Sequence, residues 1–534
     1  MTMSDTNNAK QNLKQSLDFL DSRLFHDVQL ARIFADSKTF ADAYPKLSLP
    51  EIYAVYEKAQ ATEAFDLTTF IHQHFVIPDT ILLTNDTDKA SVKSYIESLW
   101  LKLEKQPNNI ALCSLLPLSH PYVVPGGRFR EIYYWDSYFT SLGLNESGRQ
   151  DIIQSMILNF IDLQDTLGCI PNGNRSYFNS RSQPPVLGLM VEISLQNFEK
   201  NQTEARNQFL KHCVQGLDKE YQFWMYGKEQ LIGDTAALKR VVRMPNGVCL
   251  NRYWDDSVEP RPESYREDIE AAESITAAKR PTFYRNIRAA CESGWDFSSR
   301  WLANLDDLTS IQTTHIVPID LNCLLYKLEI LLSQFYAELL ENELSIKFAA
   351  YAQIRKDAIN EYMWDEQGCF YHDFNFIKGQ KTSTQSLAAC LPLFCQIAST
   401  LQAKHIAHTL ENSFLMEGGL VTTLNDSEQQ WDAPNGWAPL QWFAVVGLIN
   451  YEFKPLSVKI MNRWMTTVEQ QFITDNNMME KYNVQHSQHV AKGGEYEVQH
   501  GFGWTNGVSL AFYKLLGTNK KNNKTHMTHH EKEG

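Results

Sequence analysis

No run of this sequence is long and apolar enough to cross a bilayer, which takes roughly 20 such residues. The longest charge-free stretch near that length, residues 433–451, holds two prolines, two glycines, two asparagines and a glutamine. It reads as a loop feeding a buried helix. The N-terminal residues mix Asp5, Lys10, Lys14 and Asp18 with Asn and Gln. They lack the apolar stretch and small-residue cleavage site of an export signal. Cysteine is sparse, nine residues in 534, an odd number with no C-x-x-C pair. The tightest two, Cys390 and Cys395, fall in an apolar helical run, so the thiols read as buried and reduced. Together these absences predict a cytoplasmic protein. No glycine pattern of a dinucleotide or phosphate loop follows a strand, and neither H-E-x-x-H nor G-x-S-x-G occurs. Positive charge is also short. Lys and Arg number 49 against 63 Asp and Glu, leaving −14. That field repels phosphate backbones and anionic lipid, so neither nucleic acid nor membrane is expected as a partner. A neutral or cationic small substrate fits better.

What is present is an ordinary globular composition, 43% apolar and 21% charged, in a chain long enough to bury a large core without staples. Helical periodicity dominates. In residues 151–167, Ile152, Ile153, Met156, Ile157, Phe160, Ile161 and Leu163 make one stripe, and Gly168 stops it. Residues 89–105, 203–226, 320–340, 345–364, 386–397 and 456–472 read the same way. Strand patterns are short and scarce. Between the helices lie six long loops, at 121–136, 170–185, 260–267, 291–301, 430–442 and 479–504, rich in Gly, Pro, Trp, Arg and Asn. Loops of that length carry function or are disordered, and disordered loops do not hold so many tryptophans. The expectation is an all-α scaffold with aromatic and charged loops converging on one face.

Aromatic faces beside carboxylates, Asn and Arg suit a carbohydrate, whose C–H faces pack on rings while its hydroxyls need fixed partners. Glycoside cleavage needs two carboxyl groups, one held protonated and one ionised. A metal reading also exists, since His486 and His489 are spaced HxxH with His500 and Glu480 near in sequence. Solvated loop histidines explain them more simply.

Two segments go beyond composition. PGGRFREIYYWDSYFT from Pro125 and QWDAPNGWAPLQW from Gln430 resemble, without gaps, the two signature motifs of the trehalases, glycoside hydrolase family 37. DVQLARIFADSKTFADA, IPNGNRSYF with SRSQPP, PRPESY, ESGWDFSSRW, EKYNV and GGEYEVQHGFGWTNGV are similar to the same family. The likeness runs from about Asp27 to Gly517, in the form of the cytoplasmic bacterial members.

The resemblance implies an (α/α)6 toroid over 27–517; the helical spacing of Leu13, Leu17 and Leu20 predicts a partly helical extension at 1–26, and a single apolar residue after Gly517 predicts a disordered polar tail at 518–534. It implies inverting hydrolysis of α,α-trehalose by a monomer, with no metal or organic cofactor. The general acid falls on Asp296 and the general base on Glu480. Arg128, Arg181 and Arg261 match substrate arginines. Trp135, Asn172, Glu263 and Glu495 match other sugar-contacting positions, and the backbone at Ser293 and Gly294 lines the same pocket. Structural alternatives accompany these roles. Asp296 fits the N-cap of a helix starting near Phe297. Glu480 could pair with Lys481 or Arg463, and Arg130 with Glu131. Trp437 and Trp504 could serve packing only. The chain departs from the family at Asn483, at His500 and in a short glycine run, Gly493-Gly494, within a loop expected to close over substrate. Outside this reading stand another (α/α)6 glycosidase on a different α-linked glycoside, a catalytically dead trehalose sensor and a scaffold protein. Both carboxylates are present, which argues against the sensor.

Overall fold

The computed structural model describes residues 3–78, 91–107, 114–233, 235–491 and 493–530, with side chains described from residue 12 to residue 517. Six inner helices, Tyr134–Glu146, Leu187–Leu195, Ile319–Glu338, Leu391–Phe394, Ala438–Asn450 and Gly503–His530, form the ring. Each packs on the next in that order, and the last packs on the first, so the ring closes. Their outer partners are Val92–Leu103, Gln150–Leu167, Thr203–Trp224, Asn342–Met363, Thr400–Thr409 and Lys454–Asp475. The fold is the expected all-α (α/α)6 toroid with long loops.

The sequence explains which helices go inside. Every residue from Tyr134 to Leu144 is buried, and Leu187–Leu195 and Ala438–Asn450 are apolar nearly all round. A helix apolar on every face has to be surrounded. The outer helices carry one stripe instead. Gln150–Leu167 buries the predicted Ile152, Ile153, Met156, Ile157, Phe160, Ile161 and Leu163. It ends at Gly168 with φ +85°. Val92–Leu103 starts at the Ser91 cap, two residues after the outer limit expected for it, and residues 89–90 lie outside the described set.

One expectation needs correction. The helical run at 386–397 is a short 3-10 turn, Leu387–Cys390, followed by the single turn Leu391–Phe394. Pro392 has no N–H to donate back and disfavours helix in the residue before it, so the longer helix cannot form. At the C-terminus the last inner helix continues to His530. Extending a formed helix adds one backbone hydrogen bond per residue with no new nucleation cost. Residues 531–534 lie outside the described set.

The N-terminal helices, Met3–Leu20, Arg23–Leu30, Ser37–Ala41, Leu49–Ala59 and Leu67–His74, share a second apolar cluster. In it Phe19, Phe25, Phe40, Ile52 and Phe75 meet Tyr133, Tyr177 and Phe178 of the loops beside the ring. A buried ionic knot lies below. Lys38 bonds Asp42 at 2.6 Å and Glu131 at 2.8 Å, and Arg175 bonds Glu131 at 2.9 Å. Arg130 reaches Asp42 at 3.1 Å, so Arg130 and Glu131 each find another partner rather than pairing together. Strands are accessory. The two-residue pair Asn435–Gly436 with Tyr482–Asn483, registered Asn435 to Asn483, matters most because it brings the 430–442 and 479–504 loops together.

Candidate active site

Helix Arg280–Ser293 ends at Gly294, whose φ of +76° reverses the chain. Glycine is needed here twice over. It adopts that φ without strain, and a Cβ would stand 2.8 Å from the Trp135 ring. Two residues on, Asp296 faces a cavity. No helix starts at Phe297, so Asp296 caps nothing. Ser298 caps the short Ser299–Trp301 turn instead. The Asp of the 430–442 loop ties this stretch in place. Asp432 accepts from Ser298 Oγ at 2.8 Å, Ser299 N at 2.8 Å, Ser299 Oγ at 2.9 Å, Thr423 Oγ1 at 2.8 Å and Ser427 Oγ at 2.6 Å. Its carboxylate is fully engaged in holding the loop. Trp431 N donates to Phe297 O at 2.9 Å, and the Gln430 amide donates to Asp296 O.

Glu480 enters from the opposite loop. Its N–H donates to Gln499 O at 3.0 Å, and its carbonyl accepts from Trp504 Nε1 at 2.8 Å. Tyr496 OH donates to Oε1 at 2.9 Å, while Oε2 is buried with no hydrogen-bond partner among the described residues. Neither alternative partner takes this carboxylate. Lys481 bonds Gln430 Oε1 at 2.7 Å and Gly493 O at 2.9 Å, and Arg463 bonds the Leu415 and Met416 carbonyls.

Asp296 and Glu480 line one cavity. Its walls are Trp135, Trp431, Trp437, Trp504 and Phe129, and Asp136, Asn172, Gln183 and Tyr496 add polar atoms. Trp437 and Trp504 therefore face the cavity as well as packing. The walls are stiff because the rings hold each other: Trp431 stacks on Trp437 at 3.9 Å and on Trp295 at 5.5 Å. Burial pushes the Asp296 carboxyl up to about 7, against the pull of Arg261. Burial also raises Glu480, opposed by the Lys481 charge and the Tyr496 hydrogen bond.

Of the expected site residues, Trp135, Asn172, Gly294, Asp296 and Glu480 meet at this cavity. The others stand around it. Arg261 holds Asp268 at 2.6 Å and Glu495 at 2.7 Å, and Arg181 pairs with Glu263. Burial would raise Glu263, yet Arg181 and Arg261 keep it below the usual carboxylate range. Arg128 lies 4.6 Å from the Tyr496 ring centroid and 3.5 Å from Asp36. The Ser293 hydroxyl is occupied by Ala290 O at 2.6 Å and Trp295 N at 3.0 Å. His486 and His489 sit with rings 5.5 Å apart, and no group of three or more His, Cys, Asp or Glu among the described residues could hold a metal ion.

Sequence reasoning gave Asp136 no role and left out Gln183 and Tyr496. Each is adjacent or two residues from a residue that was named: Trp135, Arg181 and Glu495. Asp136 is a third buried carboxyl, raised well above its usual value first by burial and then by Glu480 and Asp296. Gln183 Oε1 fixes Trp135 by accepting from its N–H at 2.9 Å.

An aromatic-walled cavity with buried carboxyls at the loop end of a helical toroid defines a glycoside hydrolase. The trehalase family model matches residues 32–517. Over 504 residues the chain is 44% identical to a periplasmic trehalase of Escherichia coli O8, covering 94% of this chain and 88% of that one. The chain belongs to the trehalase family and is a glycoside hydrolase of the α,α-trehalase type. Among solved structures it resembles the neutral trehalase Nth1 of Saccharomyces cerevisiae, with TM-score 0.62, 23% identity and coverage of 92% and 94%. A mannosylglycerate hydrolase of Thermus thermophilus shares the fold at TM-score 0.54 and 15% identity, over 79% of this chain and 100% of that one. Both are likenesses of fold.

The relatives overturn the cytoplasmic expectation, since those at 43–44% identity are periplasmic trehalases. The physical ground for that expectation was thin. Eight free cysteines are described, six of them buried, and burial pushes the thiols of Cys213, Cys291 and Cys390 above their usual value. Protonated, enclosed thiols stay unpaired in an oxidising compartment as in a reducing one.

Proposed function

We propose that the protein hydrolyses α,α-trehalose with inversion, Asp296 acting as general acid and Glu480 as general base, and that it does so as a monomer in the periplasm. The observation that carries the assignment is the unequal setting of two carboxyls in one cavity. Asp296, at about 7, keeps its proton near neutrality. Glu480 has one oxygen held by Tyr496 and the other, Oε2, without a partner among the described residues.

Asp296 gives its proton to the bridging oxygen as the bond to the anomeric carbon breaks. Glu480 takes a proton from a water whose oxygen bonds that carbon from the opposite face. Two glucose molecules leave, and the two carboxyls return to their starting states by exchanging protons with solvent. Inversion calls for a carboxyl separation of roughly 6.5–9.5 Å, enough to seat the water. The tryptophan walls receive sugar faces, and the Arg181–Glu263 and Arg261–Glu495 pairs present hydroxyl partners already oriented.

Proton NMR of the purified protein with α,α-trehalose should show equal initial release of α- and β-glucose. Release of α-glucose alone means retention and overturns the roles. D296N and E480Q should each lose nearly all turnover while folded, and near-normal turnover in either rejects that residue.

A further inference from the structure

Lys481 follows the proposed base, yet it serves no role in the acid–base scheme above. Its side chain is 1% exposed. Placing an ammonium there is costly unless its hydrogens are used. Glu480 lines the catalytic cavity, while Lys481 lines a separate recess behind the 484–500 loop.

The lysine has three kinds of contact. Its Nζ donates to Gln430 Oε1 at 2.7 Å and to Gly493 O at 2.9 Å, and it lies 5.1 Å from the Trp437 ring centroid. Gln430 passes the link on, because its Nε2 donates to the carbonyl of Asp296. Gly493 passes it the other way, into the segment that covers the site. In that segment Glu495 bonds Arg261 at 2.7 Å, Tyr496 bonds Glu480 at 2.9 Å, and Gln499 accepts from the Arg128 N–H at 2.8 Å. The two glycines are required by the closeness. A Cβ on Gly493 would meet Glu428 O at 2.5 Å, and one on Gly494 would meet Gln430 Oε1 at 2.7 Å.

We propose that Lys481 is a positioning residue: its ammonium pins residues 493–499 against the site and, through Gln430, fixes the backbone of Asp296. The inference rests on the acid–base reading above. Facing the ammonium are Glu480 and Asp296 on the cavity side, and Asp475, His489, Glu497 and His500 share the recess. The lysine charge holds Glu480 lower than burial alone would leave it. Its removal therefore raises the pH at which the base ionises.

The test is the pH dependence of kcat and kcat/KM on trehalose for wild type, K481M, K481R, Q430M and E480Q, with melting curves for each. K481M should melt as a folded protein, lose kcat by about a hundredfold, and show its acid limb moved to higher pH. K481R, which keeps the charge, should keep the limb. Q430M should lose kcat by about tenfold or more with the limb unmoved, since it breaks the link and leaves the charge. A K481M enzyme with near-normal kcat and an unmoved limb overturns the proposal. So does an equal loss in K481M and K481R with no movement of the limb, which means packing alone. If K481M fails to fold, Q430M decides, and near-normal turnover there overturns it. E480Q separates the two levels. An active E480Q sinks the acid–base reading, whereas an inactive E480Q beside a normal K481M sinks only the role of Lys481.

Discussion

Asp296 and Glu480 are both raised, and both primarily by burial, so the pH behaviour of the enzyme follows from the opposite duties proposed for them. The acid works protonated, so kcat/KM should fall as pH rises through about 7. The base works ionised, so activity should also fall on the acid side, through a limb above the ordinary glutamate value of 4.5. A pH–rate profile with no descending limb near neutrality would contradict the first assignment. Stability carries the same signature. Asp296 holds its proton more tightly folded than unfolded, so its contribution is full below about 3.8 and is lost as pH rises toward about 7. Each pH unit in that window is worth about 1.4 kcal/mol at most. D296N removes the term, so its Tm should gain on wild type between about pH 4 and about pH 7. A constant Tm difference across that range would mean that Asp296 is not buried as described. At this scale the motifs pointed to both carboxylates, because residue types in fixed order are what a sequence records. Asp136 escaped because nothing in YWD separates a ring that packs from the carboxyl beside it.

Turns and loops decide where those side chains stand. G294A combines a disfavoured φ of +76° with a Cβ placed 2.8 Å from the Trp135 ring. The expected result is a loss of about 1–3 kcal/mol in urea unfolding and a raised KM, as Trp135 shifts from the cavity wall. Unchanged stability with unchanged KM would show that the ring is not seated against this turn. Asp432 illustrates what an element-level reading of sequence cannot supply. Its motif marks a sugar site by composition, and the structure engages its carboxylate with five donors from serine, threonine and backbone. Those donors come from residues 298, 299, 423 and 427, and only the fold brings them together. Helices with one apolar stripe were read well, as Gln150–Leu167 shows. The inner helices were harder, since a segment buried on all sides has no periodic contrast, and Tyr134–Glu146 was partly assigned to a loop.

The toroid is sealed where its first and last inner helices touch through glycines. A Cβ on Gly143 would lie 2.6 Å from Gly507 Cα, and one on Gly507 would lie 2.0 Å from Phe139 O. Backbone blocks backbone there, so no side-chain adjustment can absorb a methyl group. G507A should therefore cost about 3 kcal/mol or more in urea unfolding. A loss below about 1 kcal/mol would show that the seam can open without consequence. The number of hairpins came from motif resemblance, because helix periodicity does not count turns of a ring. Compartment was misread because a packed interior of this kind is the same on either side of a membrane.

That seam also sets when the enzyme comes into being. The proposed acid lies at residue 296, the proposed base at 480, and the helix that shuts the ring starts at Gly503. That helix covers the apolar flanks of both Tyr134–Glu146 and Ala438–Asn450. Closing the ring and completing the cavity are therefore one event, since Trp504, which walls the cavity and donates to the Glu480 carbonyl at 2.8 Å, stands in the closing helix.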